Sequence, residues 1–319
     1  AMLRTLLAAL ALAAAAPALA QTYPSKPIRL LIPYGPGGVG DITARFVAQK
    51  MSENMKNPIV VENRPGAGLI AGSDPCAKAP PDGYTMCLTG VGSALNATLF
   101  KSLPFDIMQD FTHLSTIAFL DIAMLVPTGS KFGSVNDVLA YARANPGKLN
   151  VATINIGSGQ HLSAELFKSM AGINVQVVPF KGTPAIVTAL RSGDVDIAFE
   201  YLAPVISQIR GKVIKPLAIA SSKRVAEFPD VPTLHESGIT GYEANAWNGF
   251  SMTAKTPRPI VDRLNREILA AVNSPEVQER MRQIGAEPRG SSPEGMRDLM
   301  AKDIEKWKTV IERASIPRQ

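Results

Sequence analysis

A chain of 319 residues with 46% hydrophobic and 19% charged side chains is long enough for two ordinary domains and too apolar to stay unfolded. Its net charge of +6 is not gathered into a basic stripe with interleaved aromatics, which argues against nucleic-acid binding and leaves a modest pull on small anions. Three histidines and two cysteines, with no His/Cys/Asp/Glu cluster of metal-ligand spacing, argue against a metal centre.

The first twenty residues read as an export signal. Met2-Leu3-Arg4 is a short basic segment and Leu6 to Ala16 an apolar run too short to span a bilayer. Pro17-Ala18-Leu19-Ala20 supplies the small residues of a cleavage site, so cleavage is expected before Gln21 and the mature chain is expected in the periplasm.

Strands and helices then alternate. Residues 28–32 form an apolar strand that runs into the turn Gly35 to Gly40, and Asp41 is placed to cap the following helix, whose apolar face carries Ile42, Phe46, Val47 and Met51. Residues 59–61 and 84–88 read as the next strands. After Phe111 the alternation restarts, with strands at 123–126, 149–152, 175–178, 195–199 and 214–220 and helices at 161–170 and 183–190. Past Pro229 come a polar loop, an apolar segment at 247–252, and helices over 259–273, 275–284 and 293–314, each with proline near its first turn. Apolar strands joined by helices predict parallel sheets covered on both faces. Two such α/β units without a flexible linker predict two lobes joined by crossing strands, with a cleft between them.

Cys76 and Cys87 fall near the end of one helix and inside the following strand. In an oxidising compartment they form either a disulfide or two separate buried thiols, and geometry decides between these.

Three loops can carry chemistry. Gly35-Pro36-Gly37-Gly38-Val39-Gly40 satisfies G-x-G-x-x-G between a strand and a helix, with Glu62 about twenty residues on. Read alone it indicates a dinucleotide. Pro36 removes a backbone donor, Asp41 sets a carboxylate beside the second phosphate, and export leads away from nicotinamide cofactors. A glycine loop at a helix start also suits any small anion, because backbone N–H groups and the helix dipole both point at it. The second loop, Gly157-Ser158-Gly159-Gln160-His161, repeats that array. It is no hydrolase elbow, since Ile156 stands where G-x-S-x-G needs glycine, and His161 is expected to cap or pack. The third, Phe180-Lys181-Gly182-Thr183-Pro184, offers Lys181 either to a carboxylate or to solvent.

Several motifs occur together and in order: Pro33-Tyr34-Gly35-Pro36-Gly37-Gly38 with Asp41 and Arg45, Glu62-Asn63-Arg64-Pro65-Gly66-Ala67-Gly68, and Pro81-Asp82-Gly83-Tyr84-Thr85. Gly193-Asp194-Val195-Asp196, the run Phe228 to Gly238, and Gly285-Ala286-Glu287-Pro288 follow. With these the chain resembles a Bug-type solute-binding protein, the extracytoplasmic receptor of tripartite tricarboxylate transporters, over nearly its whole mature length.

The resemblance implies a type II periplasmic-binding-protein fold without catalytic activity or cofactor. It implies lobe 1 from 21–121 and 222–319, lobe 2 from 122–221, and a monomer that delivers a mono- or dicarboxylate to membrane subunits. It places the ligand carboxylate between Tyr34 to Gly38, with Asp41, and Gly157 to His161. The far end would meet Thr89, Ser93, Lys181, Gly182, Glu200, Tyr201 or Trp247. Two departures stand out. Leu69 replaces a common glycine, and Glu200-Tyr201 replaces a common Asp-Asn. A buried acid facing an anionic ligand is costly, so Glu200 is expected to point outward, pair with a cation, or select a ligand carrying an amine or amide.

Overall fold

The computed structural model describes residues 23–66, 69–154, 156 and 158–318. The export signal, its cleavage site, Ala67-Gly68 and Gly157 lie outside the described residues. No helix among the described residues is long and apolar enough to cross a membrane.

The chain builds two sheets. β1 (Ile28–Ile32) pairs in parallel with β2 (Ile59–Asn63) and β3 (Thr85–Gly90). The helices α1 (Val39–Met55), α2 (Ile70–Ala77) and α3 (Val91–Leu99) follow these strands. β4 (Phe111–Leu120) passes through Asp121 directly into β5 (Ile122–Pro127), the first strand of the second sheet. There α4 (Val135–Ala144), β6 (Asn150–Ile154), α5 (Gly159–Ala171), β7 (Gln176–Phe180), α6 (Thr183–Ser192), β8 (Ile197–Tyr201), α7 (Leu202–Arg210) and β9 (Ile214–Ile219) alternate. A long loop returns the chain to β10 (Ala246–Thr253) in the first sheet. α8 (Arg258–Val272), α9 (Pro275–Gln283), β11 (Ala286–Pro288) and α10 (Pro293–Arg313) complete it.

The strand orders are β11-β4-β10-β3-β1-β2 and β7-β6-β8-β5-β9. β10, β11, β5 and β9 run antiparallel to neighbours, so both sheets are mixed where parallel sheets were expected. The cause is the double crossing: strands that enter and leave a lobe must run in opposite senses. Ala220 N–H donates to Ile122 O and Ala244 N–H to Ala220 O, both at 2.7 Å, lacing the two crossings together.

The C-terminal helices follow their sequence pattern closely. α8 buries Val261, Leu264, Ile268, Ala271 and Val272 along one stripe, and each of the four larger side chains contributes about 1.5–3 kcal/mol of transfer free energy when fully buried. Ser274 and Ser292 accept from Val277 N and Gly295 N, with proline next in line at Pro275 and Pro293. α10 packs on α3 and β4 and reaches across to α5, tying its end of the chain to both sheets.

Cys76 and Cys87 form a disulfide, with Cα atoms 6.1 Å apart, that pins α2 to β3 inside the core. Leu69 caps α2 in the left-handed region at φ 59°, where glycine would be unstrained.

Candidate functional site

Each lobe places helix starts at the ends of its parallel strands. In the first loop Gly38, not Asp41, is the cap residue of α1, and Gly37 has φ +84°, which favours glycine. Asp41 lies inside the first turn, nearly fully buried, and its carboxylate faces back into the loop. It accepts from Gly37 N (2.9 Å), Arg45 Nε (2.9 Å) and Asn63 Nδ2 (2.8 Å), while Asn63 Nδ2 also reaches Tyr34 O at 3.0 Å. Burial opposes ionisation of Asp41, but the hydrogen bonds from Arg45, Asn63 and Gly37 outweigh it and hold the carboxyl below its usual range. Asp41 was expected among the ligand contacts; it is instead the tie that shapes the loop. Gly35, Pro36, Gly37 and Gly38 remain exposed, and the first-turn amides of α1 lack intrahelical acceptors.

In the second lobe Ser158 caps α5, accepting from His161 N at 3.1 Å and donating to Ile154 O at 2.9 Å. Its one O–H donor is spent on Ile154 O, so the donors left at that helix start are the amides of Gly159 and Gln160. His161 packs, buried, and burial pushes its imidazole pKa down.

Glu200 contradicts two of its three expected fates. It is fully buried rather than outward, and no cation pairs with it among the described residues. Oε1 accepts from Gln160 Nε2 and from Tyr201 N, both at 2.8 Å, and Oε2 accepts from Thr183 Oγ1 at 3.0 Å. These partners bring the first turns of α5 and α6 onto one carboxylate. One N–H of the Gln160 side chain, expected at the ligand, is engaged there. Burial raises the Glu200 pKa, and the three donors oppose that rise.

Tyr34 and Tyr201 close the arrangement. A Cβ on Gly92, in the first turn of α3, would lie 2.6 Å from the Tyr34 hydroxyl, and one on Gly159 would lie 2.7 Å from the Tyr201 hydroxyl. Each phenol therefore stands over the start of a helix in its own lobe. The two are near enough for Tyr34 to disfavour a phenolate on Tyr201; burial pushes Tyr34 itself up to about 12. Both remain protonated donors at neutral pH. Neither hydroxyl bonds to another described residue. The α3 start was missed in the sequence, although Thr89-Gly90-Val91-Gly92 repeats the strand–glycine–helix signal of the other loops.

Other expected contacts lie elsewhere. Trp247 is fully buried, and its indole Nε1 donates to Asp303 Oδ2 on α10 at 2.7 Å, so it is core. Thr89 turns inward, its Oγ1 2.6 Å from Ser251 Oγ, which in turn lies 2.9 Å from His113 Nδ1. Ser93 is buried and accepts from Gly90 N at 3.4 Å. Lys181 is exposed and makes no ion pair among the described residues, while Gly182 caps α6. The Ser251–His113 pair is sealed inside the first lobe. A cavity of about 360 Å³ flanks the crossing, lined in part by Asp121, Ser221, Arg282 and Arg289, and shares no residue with the glycine loops.

Comparison with known proteins matches residues 43–316 to the model of the tripartite tricarboxylate transporter family receptor. The UPF0065 protein in the tcbD-tcbE intergenic region of Pseudomonas sp. strain P51 is 35% identical over 91% of this chain and 86% of its own length. BugT of Bordetella pertussis is 33% identical over 93% of this chain and 92% of its own. Among solved structures, the periplasmic binding protein BugD is similar with a TM-score of 0.77 at 29% identity, covering 93% of this chain and 100% of its own. The R. palustris protein Rpa4515 with adipate gives 0.78 at 32% identity, covering 92% and 99%. MatC of Rhodopseudomonas palustris with bound malate gives 0.75 at 28% identity, covering 91% and 100%.

Proposed function

The chain belongs to the tripartite tricarboxylate transporter receptor family, and from that membership we propose that its facing helix starts clamp a small organic acid in the cleft. It is a solute-binding receptor of the periplasmic kind. Relatives of the same fold hold adipate and malate, and a carboxylate is the ligand that helix-start amides and protonated phenols serve best. The observation that carries the reading is the pair Tyr34 and Tyr201. Two donors without hydrogen-bond partners among the described residues, one from each lobe, stand over helix N-termini.

The lobes follow the two sheets, 21–121 with 222–319 and 122–221, and close about Asp121 and the return loop. The chain acts as a monomer, exported by its first twenty residues, and hands its ligand to the membrane subunits of a transporter without turning it over. A dinucleotide fits poorly, because Gly37 N–H is already taken by the Asp41 carboxylate.

A thermal-shift screen over mono- and dicarboxylates tests the proposal. The right acid, at a hundredfold excess over its Kd, adds about 2.7 kcal/mol of stability. A panel in which no acid shifts the transition, while a dinucleotide does, defeats it.

A further inference from the structure

We infer that Glu200 makes the cleft selective for acids carrying a single negative charge, with a neutral or cationic far end held by the second lobe. The inference rests on the carboxylate-receptor reading and adds the charge of the ligand to it.

A helix N-terminus carries about half a positive charge. In the first lobe α1 and α3 offer about one unit together; the one acid in their first turns, Asp41, is matched by Arg45 at 2.9 Å. That wall suits one carboxylate. In the second lobe neither α5 nor α6 has an acid in its own first turn, and from sequence both look equally attractive to anions. Glu200 changes this from below. It enters from the end of β8, fully buried, and binds Gln160 of α5 and Thr183 of α6. Its single negative charge offsets about two half-charges, so these two helix starts together are close to neutral and exposed Lys181, just before the α6 cap, is left as the cation beside them. Tyr201, next in the chain, then presents a neutral hydroxyl over α5, where a cationic side chain would be needed to hold a second carboxylate.

The substitution Glu200→Gln isolates the charge. A glutamine Oε1 keeps Gln160 Nε2 and Tyr201 N, and its amide donates to Thr183 Oγ1, so the scaffold keeps every hydrogen bond.

The probes are matched sets of one length, for example adipate, its monoamide and 6-aminohexanoate, with the same trio built on four- and five-carbon chains. Calorimetric titration of the wild-type chain is expected to give Kd values for the monoamide or amino acid at least tenfold below that of the dianion. Such a factor corresponds to a unit charge about 12 Å away at an effective dielectric near 20. Glu200→Gln is expected to tighten the dianion about tenfold and leave the monoamide within about twofold. A wild-type chain that binds the dianion as tightly as the monoamide overturns the inference, and so does a variant that moves both equally. Absence of binding by every probe would sink the carboxylate reading itself, and this inference with it.

Discussion

The hydroxyl of Tyr201 stands 2.7 Å from the point that a Cβ on Gly159 would occupy, so the two residues compete for one space at the start of α5. A contact that short cannot be absorbed in place, and the phenol must swing away from the helix end. Gly159→Ala is therefore expected to weaken acid binding at least tenfold while leaving a folded protein, since Gly159 lies at a helix start where alanine is otherwise tolerated. Far-UV circular dichroism and calorimetry on the same sample check both halves. Unchanged affinity would remove Tyr201 from the site.

Asp41 is the corresponding point in the first lobe. Asp41→Asn retains the shape but loses the charge that holds Gly37 N–H and Arg45. A hydrogen bond to a charged group is worth about 1.5–3 kcal/mol, so a stability loss of about 2 kcal/mol is expected, together with weaker binding as the loop loosens. The folded-state pKa is depressed, so this contribution is present above the unfolded carboxyl pKa and is lost as pH falls through the folded value. Equal unfolding midpoints for variant and wild type at pH 7 would contradict the role.

His113 and Asp121 give a signed pH dependence. Burial pushes the His113 imidazole down to about 4, helped by Arg297, so the folded form binds fewer protons than the unfolded one between about pH 4 and 6.5. Stability from this residue is lost as pH falls through that window. Burial pushes the Asp121 carboxyl up to about 6, with Glu287 and Glu227 adding to the rise and Ser221 and Arg289 opposing it. Its ionisation costs stability as pH rises from about 4 to 6. His113→Asn should flatten the acid side of the stability profile, and Asp121→Asn should raise stability at pH 7 more than at pH 4. Thermal unfolding from pH 4 to 8 reads both, and the opposite slopes would refute the assignment.

The disulfide closes a short loop between α2 and β3. Replacing Cys76 and Cys87 together by alanine is expected to cost about 3 kcal/mol, most of it through the unfolded chain. Ligand affinity should hardly change. A double variant as stable as the wild type would show that the bridge contributes nothing.

Much of this architecture was legible because it rests on local chemistry. Serine caps followed by proline mark α9 and α10 (Ser274-Pro275, Ser292-Pro293), and strand–glycine–helix patterns mark the loops at Gly37 and Gly159. Non-local pairing was hidden. Nothing near 246–253 or 122–127 reveals that these strands run against their neighbours, because direction is set by the return of the chain through the crossing. The inward turn of Thr89 onto Ser251 and of Trp247 onto Asp303 was hidden for a related reason. β10 is buried along its whole length and β3 almost so, leaving no polar–apolar alternation to say which face looks into the cleft. Glu200 was marked as unusual by type, but its three donors come from 17 and 40 residues away and from its own neighbour, and no spacing rule brings Gln160, Thr183 and Glu200 together.

Recognition of the ligand comes down to protonated donors at facing helix starts that hold a carboxylate. Calorimetric titration of the best-binding acid beside its primary amide, at the same pH and salt, tests it most directly. The amide keeps the shape and removes the charge. Converting the carboxylate held by the first lobe to an amide is expected to abolish measurable binding, while the acid binds with a favourable enthalpy. An amide that binds as tightly as the acid would contradict it.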